Sequence, residues 1–187
     1  GLSSLSLANR TGAGVTIAIV DAYGDFSPSG VDQIQTDLQA FCTTTGLPYS
    51  PAGSSSPTLT EAFPGGTPPT TTSDWPLETA LDVEWAHAIA PGASIALVIA
   101  KSNNDSDILD ATQYAIDHNV GDVVSQSFGE GEICMAPSDV ARQHQLFQQA
   151  VRKGMTLFAS SGDQGAGQPN CDGSNGYFKS TSTPASD

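Results

Sequence analysis

Basic residues are scarce in this sequence. Its 187 residues include 6 Lys and Arg against 20 Asp and Glu, which gives a formal net charge of −14 at pH 7. So acidic a chain repels phosphate groups, which argues against nucleic acid or an anionic membrane surface as a partner. Many of these carboxylates are protonated at about pH 3 to 4, so the composition suits a protein that works in acid. A merely soluble acidic surface explains the charge equally well.

Long apolar runs and nucleotide-binding motifs are also missing. No stretch of about 18 apolar residues occurs, and residues 1–6 lack the basic and then apolar pattern of a signal peptide. If the protein is secreted, we expect its targeting segment to have been removed or to lie outside this sequence. The glycines within 162–167 do not form a phosphate-binding motif, so a nucleotide-dependent enzyme is not expected.

Cysteine is rare, and its spacing excludes a zinc site of the usual kind. The three cysteines form no Cys-x-x-Cys or Cys-x-x-His pair. Cys134 and Cys171 fall in predicted loops, where they can form a disulfide if the protein is secreted. Cys42, at the end of a predicted helix, is then expected to be a buried free thiol.

The periodic segments alternate in type along the chain. Strands are predicted at 14–21, 93–100, 122–127 and 155–160, and helices at about 29–41, 73–92, 105–118 and 138–153. A Thr-, Ser-, Pro- and Gly-rich connection, 43–72, is long enough to contain a hairpin or a functional loop. This order predicts one α/β domain with a parallel sheet and helices on both faces. Sites in such sheets form at the carboxyl ends of strands, which singles out Asp21, 127–129 and Asp163.

The helix within 73–92 contains two acids one turn apart. Asp74 can cap it, and Pro91-Gly92 ends it. At 100° per residue, Glu78 and Asp82 lie within about 60° of Trp85 and Ile89, on a helix that is apolar around much of its circumference. We therefore expect a largely buried helix in which desolvation raises at least one carboxyl pKa. The alternative is a solvent-facing acidic pair. His87 lies about 180° from Glu78 and cannot be its local partner.

Four motifs together resemble the sedolisins, or serine-carboxyl peptidases, in the order found in that family. They are Thr16-Ile17-Ala18-Ile19-Val20-Asp21-Ala22-Tyr23, the Glu78-x-x-x-Asp82 helix with Ala90-Pro91-Gly92-Ala93, Val123-Val124-Ser125-Gln126-Ser127-Phe128-Gly129, and Ala159-Ser160-Ser161-Gly162-Asp163. The resemblance spans nearly the whole chain. It implies a subtilisin-like fold and an endopeptidase that cleaves proteins at acidic pH.

The resemblance also implies roles for individual residues. Glu78 matches the general base, Asp82 the acid that orients and supports it, and Asp163 the acid of the oxyanion hole. Asp21 falls where some members place an additional acid, and Phe128 stands where some relatives carry Trp beside the acidic network. A carboxylate is a suitable base for this chemistry because histidine is already protonated near pH 4.

The sequence departs from the family pattern in one large respect. The family's nucleophilic serine lies in a Gly-Thr-Ser segment, and neither that tripeptide nor Gly-x-Ser-x-Gly occurs here. We therefore expect residues 1–187 to be the N-terminal portion of a peptidase catalytic domain, with the serine and the family's calcium ligands beyond residue 187 and the chain alone inactive. Protein or peptide substrates, a propeptide, the missing C-terminal portion and a secreted location follow from the resemblance.

Two other interpretations remain open at the level of sequence. A pair of acids can hydrolyse a glycosidic bond, but Glu78 and Asp82 on one helix point the same way, whereas glycosidases place their acids across the sugar. A chain without its serine can also be an inactive fragment or a binding module that retains the fold. Peptide and glycan cleavage assays separate these classes.

Overall fold

The computed structural model describes residues 10–27 and 29–187. A five-stranded sheet forms its centre, with β1 at Thr16–Ala22, β2 at Leu59–Ala62, β3 at Ser94–Ala100, β4 at Val123–Gln126 and β6 at Thr156–Ala159. The strands are arranged in the order β2-β3-β1-β4-β6, and all of the neighbouring pairs are parallel. The carboxyl ends of β1, β4 and β6 therefore meet at one edge of the sheet.

Four α-helices cover the two faces of this sheet. They are α1 at Ile34–Thr45, α2 at Trp75–Ile89, α3 at Asp105–Asp117 and α4 at Pro137–Arg152. One core cluster joins α3 and α4 to Val20, Val98 and Val124, and the other joins α1 and α2 to Ile19 and Leu97. The predicted α/β class, a parallel sheet with helices on both faces, is confirmed.

The central strands are the ones that the sequence predicts best. β1 and β3 are nearly continuous apolar runs, as expected for parallel strands buried on both faces. The predicted connection 43–72 contains a strand that the sequence did not reveal, since β2 is a short edge strand of Leu-Thr-Glu-Ala in which only Leu59 is buried. The first helix begins and ends later than predicted, and Gly46, with a left-handed φ of 74°, ends it.

Two small ribbons follow the sheet. β5 at Glu130–Gly131 pairs with β9 at Ser182–Thr183, and β7 at Gly167–Pro169 pairs with β8 at Tyr177–Lys179. A disulfide joins Cys134, in a 3₁₀ turn after β5, to Cys171, after β7. It holds the two ribbon regions together. Cys42 is a buried free thiol.

The expectation that α2 is largely buried is wrong in part. Thr79, Val83 and His87 are its buried residues. Four apolar side chains form an exposed stripe instead: Leu77 at 71%, Leu81 at 46%, Trp85 at 54% and Ile89 at 45% exposure. Because apolar residues surround most of the helix, their pattern did not determine which side packs on the sheet.

A second open apolar surface lies at the edge of the sheet. Within residues 10–27 and 29–187, β6 pairs only with β4, which leaves its other edge without a partner strand. A groove of about 840 Å³ runs along this edge between β6 and α4, where Val151 and Phe158 are 66% and 60% exposed. In the described part of the chain, no helix is long and apolar enough to cross a membrane.

Candidate active site

The four acids singled out in the sequence converge at the carboxyl end of the sheet. Asp21 is the penultimate residue of β1, Glu78 and Asp82 are carried by α2, and Asp163 follows β6. An open cleft of about 650 Å³ is lined by Glu78 and Asp163, together with Trp75, Leu81 and Ser127. Asp82 and Asp21 lie behind this surface. Elements distant in the sequence therefore bring one acidic cluster together.

Glu78 is the acid that connects the cleft to the interior. Its side chain is half-buried. Burial raises the pKa of Glu78 above its ordinary value, and the nearby charges of Asp82 and Asp163 raise it further. The influence of Asp163 shows that the loop after β6 reaches the first turn of α2.

Asp82 lies one helical turn further into the molecule. Burial raises the pKa of Asp82, while the Ser127 hydroxyl, which faces the carboxylate, lowers it. One carboxylate oxygen, Oδ2, is buried without a hydrogen-bond partner. The sequence prediction that desolvation raises the pKa of at least one of the paired acids is confirmed for both.

Asp21 is the most deeply buried of these acids. Its side chain has no solvent exposure, and neither carboxylate oxygen has a well-formed hydrogen bond, although the Thr79 hydroxyl faces it. Burial, followed by the charges of Asp82 and Glu78, raises the pKa of Asp21 well above its ordinary value. A carboxyl group in this environment is neutral over a wide pH range, so the cluster contains at least one stored proton.

A glycine shapes the loop that carries Asp163. Gly162 has a left-handed φ of 86°, and a methyl group added to it would lie 3.0 Å from Nε2 of the buried Gln168. Any other residue at this position combines backbone strain with a close contact. The sharp turn directs the exposed Asp163 towards the cleft opposite Glu78.

Aromatic residues border the acidic cluster. Tyr23, which directly follows the end of β1, has a left-handed φ of 58°. Its ring lies 6.5 Å from that of Trp75, and its hydroxyl donates a hydrogen bond to Asn103. Phe128 is half-buried and lines the cleft. The sequence analysis singled out Phe128 as a member of the site but not Trp75, Tyr23 or Thr79. Of these three, only Thr79 could have been found from the sequence, because it is a polar residue on the side of α2 that faces the sheet.

The histidines do not contribute to this cluster. His87 is buried on the opposite side of α2, where Nε2 lies 2.7 Å from the carbonyl oxygen of Pro48. His118 contacts the Tyr114 carbonyl, and His144 contacts Asp187. The acids are therefore the candidate proton-transfer groups of the cleft.

The family resemblance implies calcium for the complete domain, with its ligands expected beyond residue 187. Among residues 10–27 and 29–187, no group of three or more His, Cys, Asp or Glu side chains is arranged to hold a metal ion. Carboxylate and carbonyl oxygens in larger number are what calcium requires. No step of the chemistry below involves a metal.

The protein is an α/β protein with a group of acids at the carboxyl ends of its parallel strands. Comparison with known proteins shows which family of such proteins it resembles. No protein-family model matches the chain. Kumamolisin of Bacillus sp. (strain MN-32) is 37% identical over 98 residues, which cover 51% of this chain and 18% of the relative. Xanthomonalisin of Xanthomonas sp. (strain T-22) is 29% identical over 180 residues, or 89% of this chain and 21% of the relative.

A solved structure shows the same likeness in three dimensions. Pseudomonas sedolisin, a serine-carboxyl proteinase complexed with two molecules of pseudo-iodotyrostatin, matches with a TM-score of 0.74 and 26% identity, over 94% of this chain and 46% of that one. The resemblance to the sedolisin family, with its subtilisin-like fold, is thus confirmed in sequence and in structure. The chain spans about a fifth of the length of the curated relatives it matches.

Proposed function

We propose that this chain supplies the acidic part of the active site of an acid-active serine-carboxyl endopeptidase. The observation that carries the proposal is that Glu78 and Asp163 line one cleft with Asp82 directly behind it, and that Asp82 and Asp163 are both close enough to raise the pKa of Glu78. The likeness to Pseudomonas sedolisin supports it. In this proposal, residues 1–187 are the N-terminal portion of the catalytic domain, and the nucleophilic serine comes from outside them.

Glu78 is the proposed general base. It lines the cleft, where it can take the proton of a serine hydroxyl as that hydroxyl attacks a peptide carbonyl, and later return the proton to the leaving amine. Burial raises its pKa, which increases the strength of its ionised form as a base. A carboxylate performs this step at a pH where a histidine base is already protonated.

Asp82 and Asp21 are the proposed positioning residues behind the base. Asp82 is near enough to influence the titration of Glu78, and the pair together with Asp21 shares protons as a unit. One shared proton can orient Glu78 and compensate its change of charge during the reaction. The Ser127 hydroxyl, which lowers the pKa of Asp82, favours the ionised form of this positioning residue.

Asp163 is the proposed oxyanion-hole group. It is exposed to the cleft across from Glu78, so a carbonyl group placed between the two acids meets both. In its protonated form Asp163 can donate a hydrogen bond to the oxygen that becomes negatively charged in the tetrahedral intermediate. The ionised form lacks that donor, so the proposed enzyme works only in acid.

The open apolar surfaces favour a partner of a specific kind. We expect the remainder of the peptidase domain to cover the α2 stripe of Leu77, Leu81, Trp85 and Ile89 and the groove beside β6. The matched part of Pseudomonas sedolisin is 46% of that chain, which leaves room for such a portion. The disulfide between Cys134 and Cys171 favours an oxidising, extracellular location, where a family-type propeptide accompanies the enzyme before maturation.

Peptide cleavage by the full-length protein tests the proposal. We expect Glu78→Gln and Asp163→Asn each to lower kcat at about pH 4 by at least about 10²-fold, the range for a general base or an oxyanion donor, with little change in KM. Glu84→Gln is the matched control, since Glu84 is a half-buried acid of the same helix but does not line the cleft. Absence of peptide cleavage by the unaltered protein favours the alternative, a fold retained for binding.

A further inference from the structure

A second pair of acids lies beside the candidate active site. Glu130 on β5 and Asp105 at the start of α3 face a cavity of about 190 Å³, which is also lined by Trp75 and Phe128. The carboxyl groups of Glu130 and Asp105 are within hydrogen-bonding reach of each other. None of the described residues lining this cavity is Lys, Arg or His, so no basic side chain there compensates the two acids.

Two carboxyl groups in contact retain one proton between them. Burial, together with the charge and the hydrogen bond of Asp105, raises the pKa of Glu130 to about 7. Asp105 is the first residue of α3, where the helix dipole stabilises a negative charge. A neutral Glu130 can donate a hydrogen bond to Asp105, whereas an ionised Glu130 cannot.

The surroundings of Glu130 offer no substitute for this bond. Its Oε1 atom is buried without a hydrogen-bond partner. Asp105 is the titratable group that faces Glu130 from α3, because the neighbouring Asp107 accepts a hydrogen bond from Ser102. β9 contributes Ser182 and Thr183, which do not titrate. Ionised Glu130 is thus left partly desolvated and next to a like charge.

The segment that carries Glu130 also carries part of the candidate active site. Residues 127–131 begin with Ser127, which lines the cleft and lowers the pKa of Asp82, and pass through Gly129, where an added methyl group would lie 2.8 Å from the Thr183 carbonyl oxygen. Strand pairing between β5 and β9 holds the segment on that side. On the other side of the segment, the contact between Glu130 and Asp105 connects it to α3.

We propose that Glu130 and Asp105 form a proton-dependent latch that holds the segment 127–131 against the start of α3 and releases it when the shared proton is lost. Release loosens the position of Ser127 and, through it, of Asp82. The latch itself is independent of the proposed peptidase function, and only its consequence for catalysis rests on that function.

Hydrogen–deuterium exchange of the full-length protein tests the latch without any substrate. Protection factors for residues 127–131, corrected for the intrinsic effect of pH, are measured from pH 5 to 8 in the unaltered protein. We expect a loss of protection of about tenfold or more, centred near the pKa of about 7 for Glu130. Constant protection across this range would overturn the proposal.

Two substitutions identify the groups responsible. Glu130→Gln keeps a neutral donor towards Asp105 at every pH, and Asp105→Asn gives Glu130 a donor when it is ionised, so both should remove the pH-dependent loss of protection. Glu132→Gln, at an exposed acid two positions from Glu130, should behave like the unaltered protein. The same loss of protection in Glu130→Gln and Asp105→Asn as in the unaltered protein would also overturn the latch, and either variant suffices if the other fails to fold.

Discussion

The hydroxyl of Ser127 faces the carboxylate of Asp82 and lowers its pKa, across the junction between the end of β4 and the middle of α2. The hydroxyl favours the ionised form of Asp82, whereas burial, the larger effect, opposes it. The Ser127 hydroxyl thus lies beside Asp82, the inner acid of the pair, while Glu78 faces the cleft.

We expect Ser127→Ala to raise the pKa of Asp82, because the substitution removes the hydroxyl that lowers it. The measurement is a titration of the Asp82 carboxyl carbon by NMR. Ser125→Ala, two residues earlier on β4, is the control. An unchanged pKa of Asp82 in Ser127→Ala would show that the Ser127 hydroxyl has no role in the ionisation of Asp82.

Asp21→Asn should improve stability more at pH 7 than at pH 4. Burial raises the pKa of Asp21 well above its ordinary value of 3.8, so the folded state retains a proton that the unfolded state releases above that value. Stability is therefore lost as the pH rises, and asparagine removes this loss. Urea unfolding of both proteins at the two pH values measures the difference, and an equal effect at both values contradicts the assignment of a neutral Asp21.

Two further acid pairs predict how the free energy of unfolding depends on pH. Asp25 contacts Asp37 and Glu61 contacts Asp32, and in each case burial, followed by the neighbouring acid, raises the pKa of the first residue to about 7. The stabilisation from these pairs is fully present below the ordinary pKa values of 3.8 and 4.5 and is lost as the pH rises towards 7.

Urea unfolding between about pH 4 and pH 8 measures this decline in stability. Glu61→Gln should make the decline shallower, since the amide keeps a hydrogen-bonding group in place without a titration. Asp74→Asn, at an exposed acid, should leave it unchanged. A protein that becomes more stable as the pH rises from 5 to 7 would show that these pairs do not hold protons.

The parts of the fold that could be predicted are those whose burial gives a local pattern of apolar residues in the sequence. Apolar runs such as those of β1 and β3 leave few choices, and the rule that sites form at the carboxyl ends of parallel strands placed Asp21 and Asp163 at one edge. β2 was not predictable, since an edge strand buries little and Leu-Thr-Glu-Ala has no distinctive pattern.

The contacts between loops were beyond the reach of sequence patterns. The pairing of Glu130 with Asp105 depends on how β5 packs beside the start of α3. Neither residue lies in a recognisable sequence motif. The orientation of α2 was not predictable because apolar residues surround most of the helix; Thr79, Val83 and His87 face the sheet, whereas Trp85 and Ile89 are exposed.

Trp85→Ala should lower the free energy of unfolding by very different amounts in the full-length protein and in the 187-residue chain. If the remainder of the domain covers the α2 stripe, truncating a buried tryptophan costs about 3–5 kcal/mol. In the 187-residue chain, where Trp85 is 54% exposed, the cost should be within about 0.5 kcal/mol. Chemical unfolding of both forms measures the difference, and a small cost in the full-length protein contradicts the proposed covering.

Removal of the disulfide should destabilise the protein by up to about 4 kcal/mol. Cys134 and Cys171 are 37 positions apart, and closing a loop of that length restricts the unfolded chain by about this amount. Unfolding of the Cys134→Ser, Cys171→Ser double variant measures the effect. Cys42→Ala is the control for removing a thiol, and a double variant as stable as the unaltered protein shows that the disulfide contributes no net stability.

The most direct test of the account is the pH dependence of kcat/KM for peptide cleavage by the full-length protein, from pH 2 to 8, in the unaltered form, in Glu78→Gln and in Glu84→Gln. The account predicts a bell-shaped profile with an acidic optimum for the unaltered protein and for Glu84→Gln, and loss of cleavage by at least about 10²-fold at every pH in Glu78→Gln. Cleavage by Glu78→Gln at the rate of the unaltered protein would contradict the assignment of Glu78 as the general base.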